Sequence, residues 1–220
     1  MNKTRAVLLD VDCTLIDSND AHARAWVDAG SEFGHAIAFA DVRPLIGMGG
    51  DKVLPRLTGL EEDSPEGTRI LDRRGEIFRE RYLPALVALP GALDLVRRLR
   101  DDGKTLVVAT SASEEDLEAL LEQVGLEDLL TEATNSDDAD ESKPAPDIVE
   151  AALEKAGAAA AHVVMIGDTP HDVAAALQAG VRIIGVRCGG WADEDLRGAA
   201  AVYDDPAAIL RDYDRSILAG

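Results

Sequence analysis

The fold of this chain is decided by the stretch Ala6-Val7-Leu8-Leu9-Asp10-Val11-Asp12-Cys13-Thr14-Leu15, in which two acids directly follow a short apolar run. The apolar run predicts a buried β-strand that ends at Asp10. In open α/β sheets, ligands bind in the crevice beyond the carboxyl ends of the strands. Side chains two residues apart in an extended segment point the same way, so Asp10 and Asp12 face one pocket and repel unless a cation or a proton intervenes. The alternative is a strand followed by a solvated, Asp-rich turn.

Length and charge limit the classes of protein to consider. The chain has 220 residues, enough for one large domain or for a domain that carries an insert. It contains 42 acidic and 22 basic residues, a formal net charge of −20, which disfavours nucleic acid and anionic membranes as partners. Cys13 and Cys188 have no CxxC spacing, which disfavours a zinc site or a disulfide framework. No apolar segment reaches transmembrane length and no signal peptide precedes the first strand, so we expect a cytoplasmic protein.

The periodicity of apolar residues divides the chain into two parts. The first part is predicted to be wholly helical apart from a glycine-rich loop over 42–50, with Ser64 and Pro65 opening its last helix. Its helices are predicted over 20–33, 54–57 and 65–82. From Leu89-Pro90-Gly91 onward, helices alternate with short apolar strands, and a helix over 206–218 ends the chain. The strands are predicted over 105–109, 130–133, 163–166, 182–186 and 201–203.

This alternation predicts an α/β fold with a doubly wound, Rossmann-like parallel sheet. The helical block interrupts the alternation directly after the first strand, so it is predicted to be an all-α domain inserted into the core. The predicted core domain comprises residues 1–16 and 87–220, and the predicted insert comprises residues 17–86.

The ends of the later strands supply further polar groups. Thr110 and Ser111 end the second core strand and offer hydroxyls to an anionic oxygen. Lys143 lies between a polar run and two prolines, which form a stiff mount for a cation, although an ordinary exposed lysine is the alternative. Asp168 and Asp172 follow the fourth strand, where each could instead cap the next helix.

Together these strand ends bring four carboxylates, from Asp10, Asp12, Asp168 and Asp172, to one crevice. A hard divalent cation with oxygen ligands relieves their repulsion, and Mg²⁺ is the natural choice. One carboxylate aimed at a bound anion can attack phosphorus and form an aspartyl-phosphate. A second acid two residues further is placed to protonate the leaving oxygen and later to activate water. These parts meet the requirements of phosphoryl transfer.

In chain order, these residues resemble the four signatures of the haloacid dehalogenase superfamily of phosphotransferases. The matching motifs are Asp10-x-Asp12-x-Thr14, Thr110, Lys143 and Gly167-Asp168-x-x-x-Asp172. The resemblance implies that Asp10 is the nucleophile, that Asp12 is the general acid and base, and that Thr110 and Lys143 bind the phosphoryl oxygens. The implied Mg²⁺ ligands are Asp10, the backbone carbonyl of Asp12, and Asp168, with Asp172 as a ligand or beside the ligands. The acid at position 12 disfavours the dehalogenase and phosphonatase branches.

The insert resembles the α-helical cap of one subfamily, which includes β-phosphoglucomutase and phosphoglycolate phosphatase. The stretch Asp17-Ser18-Asn19, followed by His22 and Trp26, carries this resemblance. His22 lies one helical turn before Trp26 and is a candidate substrate-binding residue, with a packing histidine as the alternative. The resemblance therefore predicts that the insert closes over the crevice.

The loop Gly47-Met48-Gly49-Gly50-Asp51-Lys52 is expected to cover the leaving group of the substrate. Gly49 permits close backbone approach, and Lys52 is a candidate for contact with a second anionic group. The mutase usually carries an arginine where this chain reads Gly49-Gly50, which disfavours mutase activity. The chain also departs from the superfamily at Cys13, where glycine is commonest, and we predict that Cys13 is a small packed residue rather than a reactive thiol.

The resemblance implies a Mg²⁺-dependent phosphatase that hydrolyses a small phosphorylated metabolite through a covalent aspartyl-phosphate, as a monomer or homodimer. A sugar phosphomutase is the first alternative, because it shares the chemistry and transfers the phosphoryl group to a sugar hydroxyl. A non-catalytic phosphate-binding protein is the second. Isomerisation of β-glucose 1-phosphate, dependent on a trace of bisphosphate, separates the mutase from the phosphatase.

Overall fold

A parallel β-sheet forms the centre of the protein in a computed structural model that describes residues 3–139 and 141–219. The strands in this part are β1 (Ala6–Leu9), β2 (Thr105–Ala109), β3 (Ala133–Thr134), β4 (Val163–Gly167), β5 (Arg182–Val186) and β6 (Ala201–Tyr203). Their order across the sheet is β3-β2-β1-β4-β5-β6. Every pairing is parallel, so the predicted Rossmann-like sheet is confirmed.

Strand β1 occupies the middle of the sheet, and its residues are fully buried. Leu9 is level with Val108 of β2 and with Ile166 of β4. The residues that follow these three strands therefore lie at the same edge of the sheet. The strand order reverses between β1 and β4, because β2 and β3 lie on one side of β1 whereas β4, β5 and β6 lie on the other. This is the position at which α/β sheets bind their ligands.

Helices of the insert follow β1. They are α1 (Asn19–Glu32), α2 (Phe39–Val42), α3 (Gly50–Thr58) and α4 (Pro65–Ile77). A π-helical turn, Phe78–Tyr82, continues α4, so the predicted helix over 65–82 is one helical stretch with a change of pitch at its end. The Ser64 hydroxyl accepts a hydrogen bond from the Gly67 amide at 3.1 Å and caps this helix, as the sequence predicts.

Two predictions for the insert need correction. The helix predicted over 54–57 is longer, because α3 already begins at Gly50 inside the predicted loop. The loop over 42–50 also holds a short 3₁₀ turn, Arg43–Leu45, directly after α2. Pro44 favours the 3₁₀ turn, and Asp51 in the first turn of α3 favours the start of that helix. The glycines of this segment had indicated a loop instead.

The insert has an apolar cluster of its own, formed by Ala23, Trp26, Val42, Ile46, Val53, Leu54 and Ile70. The opposite side of α1 (Ala21, Ala25 and Ala29) and the end of α4 pack into the cluster on one face of the sheet. The insert thus has its own core and also rests on the main one. The division at residues 17–86 stays a prediction.

Helices of the core cover both faces of the sheet, where two apolar clusters lie. These helices are α5 (Ala92–Asp101), α6 (Glu114–Val124), α7 (Asp147–Ala156), α8 (Pro170–Gln178) and α9 (Pro206–Arg211). No helix within the described ranges has both the length and the apolarity that a bilayer crossing requires.

Two core elements differ from their predicted bounds by several residues. The strand predicted over 130–133 is Ala133–Thr134, because only Ala133 and Thr134 pair with β2, while Leu130 is buried as a packing residue before the strand. The helix predicted over 206–218 ends at Arg211. Tyr213 and Leu218 are both buried, yet they lie about 140° apart around a helix. The chain turns after Asp212 and so buries both.

Candidate active site

Asp10 stands at the centre of the candidate site, directly after β1, and only 5% of its surface is exposed. Its Oδ2 accepts a hydrogen bond from the Thr14 hydroxyl at 3.0 Å. Its Oδ1 accepts one from the Lys143 ammonium at 2.7 Å. Thr14, the last residue of the first motif, therefore holds the carboxylate from one side while Lys143 neutralises it from the other.

Lys143 is completely buried, so its charge depends on fixed partners. Its Nζ lies 2.7 Å from Asp10 Oδ1, 2.7 Å from Asp172 Oδ1 and 2.7 Å from the Ala109 carbonyl oxygen. Burial would lower the pKa of Lys143, but Asp10 and Asp172 outweigh it and raise this pKa. The lysine is a fixed cation that the structure brings to the carboxyl ends of β1 and β2.

Asp168 and Asp172 differ in how their oxygens are used. Asp172 caps α8: its Oδ2 accepts from the Thr169 amide at 3.0 Å and from the Thr169 hydroxyl at 2.7 Å, and its Oδ1 pairs with Lys143. Asp168 accepts from Asn19 Nδ2 at 3.0 Å through Oδ2. Its buried Oδ1 has no hydrogen-bond partner within residues 3–139 and 141–219.

Burial and the charges of neighbouring acids raise the pKa values of Asp10 and Asp168. Burial raises the pKa of Asp10 to about 7; Lys143 opposes the rise, while Asp172 and Asp12 add to it. Burial, followed by the charges of Asp10 and Asp172, raises the pKa of Asp168 well above its usual range. Both shifts mean that the deprotonated cluster lacks positive charge, although Lys143 is present.

The cluster fits a divalent cation. One carboxylate oxygen from each of Asp10, Asp168 and Asp172 lies within 4.8 Å of the others, and all three residues are buried. The unpartnered Asp168 Oδ1 is an oxygen that a cation would satisfy. Carboxylate oxygens are the ligands that Mg²⁺ prefers. Asp10 and Asp168 fit best, because the oxygens of Asp172 are already engaged by Lys143 and Thr169.

The turn after β5, Arg187–Gly189, packs against the outer side of Asp168, a contact that the sequence reading missed. A Cβ at Gly189 would lie 1.8 Å from Asp168 Oδ2, so only glycine fits there without a displacement. Asn19 belongs to the motif that carries the resemblance to the cap, and the structure shows that its side chain also donates a hydrogen bond to Asp168. A glycine just beyond the carboxyl end of β5 was the available signal, since that end adjoins the other strand ends.

Asp12 has different surroundings from Asp10. Its Oδ1 accepts hydrogen bonds from the Ser18 hydroxyl and, at 2.8 Å, from His22 Nε2. Burial would raise the pKa of Asp12, but His22, Ser18 and the charge of Arg74 outweigh it and lower this pKa to about 2. The two acids of the first motif are thus held with opposite shifts, although they are two residues apart.

A second polar cluster adjoins Asp12 and joins the insert to the core. His22 stacks on Phe78, with ring centroids 3.9 Å apart, and its Nδ1 lies 2.5 Å from Arg74 Nη2. Arg74 Nη1 donates to Asp116 Oδ2 at 2.6 Å, and Arg79 Nη1 donates to Asp116 Oδ1 at 2.6 Å. Asp116 is 1% exposed and lies on α6 of the core. Asp116, Arg74 and Arg79 are not among the residues that the sequence predicts for the site.

The acids open into a cavity of about 1040 Å³ between insert and core. Its wall includes Asp10, Asp12, His22, Thr110 and Ser111, five of the predicted site residues. Lys143 is buried behind Asp10. The structure therefore brings the residues that the sequence predicted for the core site together, while their roles stay predictions.

Gly49 and Lys52 are not part of the described cavity wall, although Gly47, Met48, Gly50 and Asp51 are. The Gly49 amide donates to the Ser142 hydroxyl at 3.0 Å. The Lys52 ammonium lies 2.6 Å from a Glu141 carboxylate oxygen and 3.6 Å from one of Asp51. Both residues thus fasten the insert to the loop that carries Lys143, and their predicted contact with substrate stays a prediction.

Cys13 takes a left-handed backbone conformation, with φ of 48°. Glycine adopts this conformation without steric cost, which gives a reason for glycine at this position in the superfamily. Cys13 is 2% exposed, and the Cys188 thiol donates to the Cys13 carbonyl oxygen at 2.9 Å. Burial raises the pKa of Cys188 to about 12 and that of Cys13 further, so both thiols stay protonated, in keeping with a packed Cys13.

Comparison with known families agrees with this fold. The family described as haloacid dehalogenase-like hydrolase matches residues 7–186, most of the chain. The chain belongs to this family of hydrolases, and the resemblance seen in its motifs is confirmed.

Individual relatives cover nearly the whole chain. A protein of Rhodospirillum rubrum named phosphoglycolate phosphatase is 32% identical over 215 residues, 93% of this chain and 89% of that protein. The crystal structure of a hydrolase from Pseudomonas syringae has a TM-score of 0.89 and 28% identity, over 96% of this chain and 99% of that one. A crystal structure of CbbY from Rhodobacter sphaeroides in complex with phosphate has a TM-score of 0.81 and 26% identity, over 94% and 96%. The chain is an enzyme of the hydrolase family whose relatives include phosphatases.

Proposed function

We propose that the chain is a Mg²⁺-dependent phosphatase that hydrolyses a small phosphomonoester through an aspartyl-phosphate on Asp10. The buried Asp10 carboxylate, fixed by Thr14 and Lys143 at the wall of the cavity, is the observation that carries this proposal. A carboxylate held in this way is positioned for attack on phosphorus. The relatives named phosphatases support the same chemistry.

In the first step, Asp10 attacks the phosphorus atom. Asp12 is a carboxylate in the free enzyme, takes up a proton when the substrate binds, and gives this proton to the leaving oxygen. In the second step, Asp12 takes a proton from water as the water attacks the phosphorus of the aspartyl-phosphate, and Asp10 leaves as a carboxylate. Thr110, Ser111 and Lys143 are proposed to bind the phosphoryl oxygens. Lys143 has the charge for this role, while Thr110 and Ser111 line the cavity.

Bound by Asp10, Asp168 and the Asp12 backbone carbonyl, with Asp172 beside them, Mg²⁺ would supply positive charge next to the phosphoryl oxygens. The unpartnered Asp168 oxygen and the raised pKa values of Asp10 and Asp168 support a cation at this position. Isothermal titration of the protein with MgCl₂ tests this assignment. We expect Asp168→Asn to weaken binding, and equal affinity in the variant contradicts it.

The substrate is proposed to be a small phosphorylated metabolite. The reason is that the insert, which comprises residues 17–86 and is proposed to act as a cap, encloses the cavity. Phosphate release from a panel of phosphorylated metabolites with MgCl₂ identifies the substrate and tests the activity. We expect Asp10→Asn to abolish turnover of p-nitrophenyl phosphate, with the exposed Asp94→Asn as the control variant. Retained turnover in Asp10→Asn contradicts the covalent route.

The phosphomutase alternative shares the site and differs in the acceptor of the phosphoryl group. Isomerisation of β-glucose 1-phosphate with a trace of bisphosphate would favour it, whereas release of inorganic phosphate alone favours the phosphatase. Absence of turnover across the whole panel would favour the non-catalytic alternative. A monomer or homodimer and a cytoplasmic location remain part of the proposal, and light scattering tests the former.

A further inference from the structure

We propose that Asp116 is a positioning residue, which through Arg74 and His22 orients the Asp12 carboxyl group for proton transfer to the leaving oxygen. This inference rests on the proposed function. Three side chains, those of His22, Arg74 and Asp116, connect to Asp12 and line the same cavity. The chain of contacts starts on the core, crosses the insert and returns to the core.

Each link of this chain is a short hydrogen bond. Asp116 Oδ2 accepts from Arg74 Nη1 at 2.6 Å, Arg74 Nη2 lies 2.5 Å from His22 Nδ1, and His22 Nε2 lies 2.8 Å from Asp12 Oδ1. A guanidinium has donors and no acceptor, so His22 Nδ1 must accept from Arg74. The ring proton of a neutral His22 is then on Nε2, which donates to Asp12.

These contacts fix the direction in which Asp12 presents its oxygens. His22 is held at both ring nitrogens and by stacking on Phe78, with an interplanar angle of 13°. Its hydrogen bond and that of the Ser18 hydroxyl both end on Asp12 Oδ1. Oδ2 is therefore the oxygen of Asp12 that is left for the leaving group of the substrate.

Asp116 controls this arrangement because it is the buried anchor of Arg74. The Asp116 carboxylate is 1% exposed, whereas the Arg74 side chain is 18% exposed and lines the cavity. Without the carboxylate, Arg74 loses the charged partner that sets its position and can turn towards solvent. Arg79 binds the other oxygen of Asp116 and, within the described residues, is not hydrogen-bonded to His22, so it offers a matched control.

A comparison of leaving groups isolates the proton-transfer step. When Asp10 bonds to phosphorus, the bond to the leaving oxygen breaks and its electron pair stays on that oxygen. An alkoxide takes the Asp12 proton, whereas 2,4-dinitrophenolate leaves as a stable anion without one. The value of kcat/KM reports this step and those before it, so a misplaced Asp12 lowers kcat/KM for the alkyl ester selectively.

The experiment measures kcat/KM with MgCl₂ for 2,4-dinitrophenyl phosphate and for the best alkyl phosphate from the metabolite panel. We expect Asp116→Asn to lower the value for the alkyl ester by roughly 10–100-fold and the value for the aryl ester by far less. The loss is smaller than the roughly 10²–10⁴-fold contribution of general acid catalysis, because Asp12 itself is kept. Arg74→Lys is expected to show the same selectivity, and it serves as the test variant if Asp116→Asn fails to fold in a thermal melt.

Three results overturn the inference, and a fourth contradicts the proposed function. Equal losses for both esters in Asp116→Asn and Arg74→Lys indicate a merely structural role, as does the same selectivity in Arg79→Lys. A wild-type protein that hydrolyses neither ester contradicts the proposed function itself. An active wild type in which Asp12→Asn is selective and Asp116→Asn is not contradicts the role of Asp116 alone.

Discussion

Two cationic centres flank the cavity, and they are built in different ways. Lys143 is fully buried and lies 2.7 Å from both Asp10 and Asp172, which belong to the core. Arg74 belongs to the insert, is 18% exposed, and pairs with Asp116 of the core. The first centre depends on the register of parallel strands, while the second exists only where the insert meets the core.

This difference separates what is rigid from what depends on docking. The Lys143 centre combines a buried lysine with carboxylates at strand and helix ends, all of which belong to the core. The Arg74 centre needs α4 of the insert to lie against α6 of the core. The proposed attack by Asp10 therefore depends on residues of the core, whereas the proposed orientation of Asp12 depends on contact between the insert and the core.

Removal of the lysine charge is expected to have the largest effect. Lys143→Met leaves Asp10 and Asp172 buried without their cation, which we expect to lower the free energy of unfolding by about 3–5 kcal/mol. Loss of a donor to the phosphoryl oxygens is expected to lower kcat by roughly 10²–10³-fold. Urea unfolding and phosphate release measure the two effects. If this variant unfolds with the wild-type free energy, the buried Lys143 centre is not the more strongly stabilising of the two.

Gly189→Ala probes the rigidity of the Lys143 side of the cavity. The added Cβ would lie 1.8 Å from Asp168 Oδ2, so Asp168 or the turn after β5 must move. We expect a destabilisation of about 1–3 kcal/mol, the usual cost of overpacking, together with weaker Mg²⁺ binding. Thermal melts and MgCl₂ titration measure both. Unchanged Mg²⁺ affinity would mean that Asp168 is less rigid than its neighbours imply.

Arg74→Gln is expected to cost less than Lys143→Met, about 1.5–3 kcal/mol, the usual value of hydrogen bonds to charged groups. The reason is that Asp116 keeps Arg79 as a partner at 2.6 Å. Urea unfolding of Arg74→Gln, Arg79→Gln and the double variant measures the coupling between the two arginines. Additive losses would contradict a shared anchor at Asp116.

The pH dependence of the metal-free protein is expected to follow the Lys143 centre. The pKa of Asp10 is about 7 in the folded protein against 3.8 as the ordinary value, so the folded state binds more protons between these limits. Stability then falls as pH rises through this window. Each 1 kcal/mol lowers Tm by roughly 2–4 °C. Calorimetry from pH 5 to pH 8 measures the fall, and Asp10→Asn is expected to reduce it.

The two centres also differ in how far the sequence predicted them. Asp10, Thr110 and Asp168 follow strands that their apolar runs reveal, and parallel strands bring their ends together whatever the connecting helices do. Arg74 and Asp116 lie on helices of two different parts, 42 residues apart. Their contact depends on how α4 is rotated and where the insert docks, and neither is encoded in a local pattern.

Backbone conformation limited the prediction in the same way. The sequence shows cysteine at position 13 instead of glycine. It does not show the left-handed backbone, with φ of 48°, that explains why glycine is favoured there. The final helix ends at Arg211, because burial of Tyr213 and Leu218 requires a turn that helix periodicity does not show. Local patterns predicted which elements exist, and long-range packing decided where they end.

The place of β1 also has a consequence for synthesis of the chain. This apolar strand is made before the other strands of the sheet, yet it pairs on both sides with segments made much later, β2 at Thr105–Ala109 and β4 at Val163–Gly167. The helices of the insert make local contacts and form early, whereas closing the long loops to β1 is slow. Until β2 is made, the nascent chain therefore carries an unpaired apolar strand next to Asp10, which exposes the chain to aggregation.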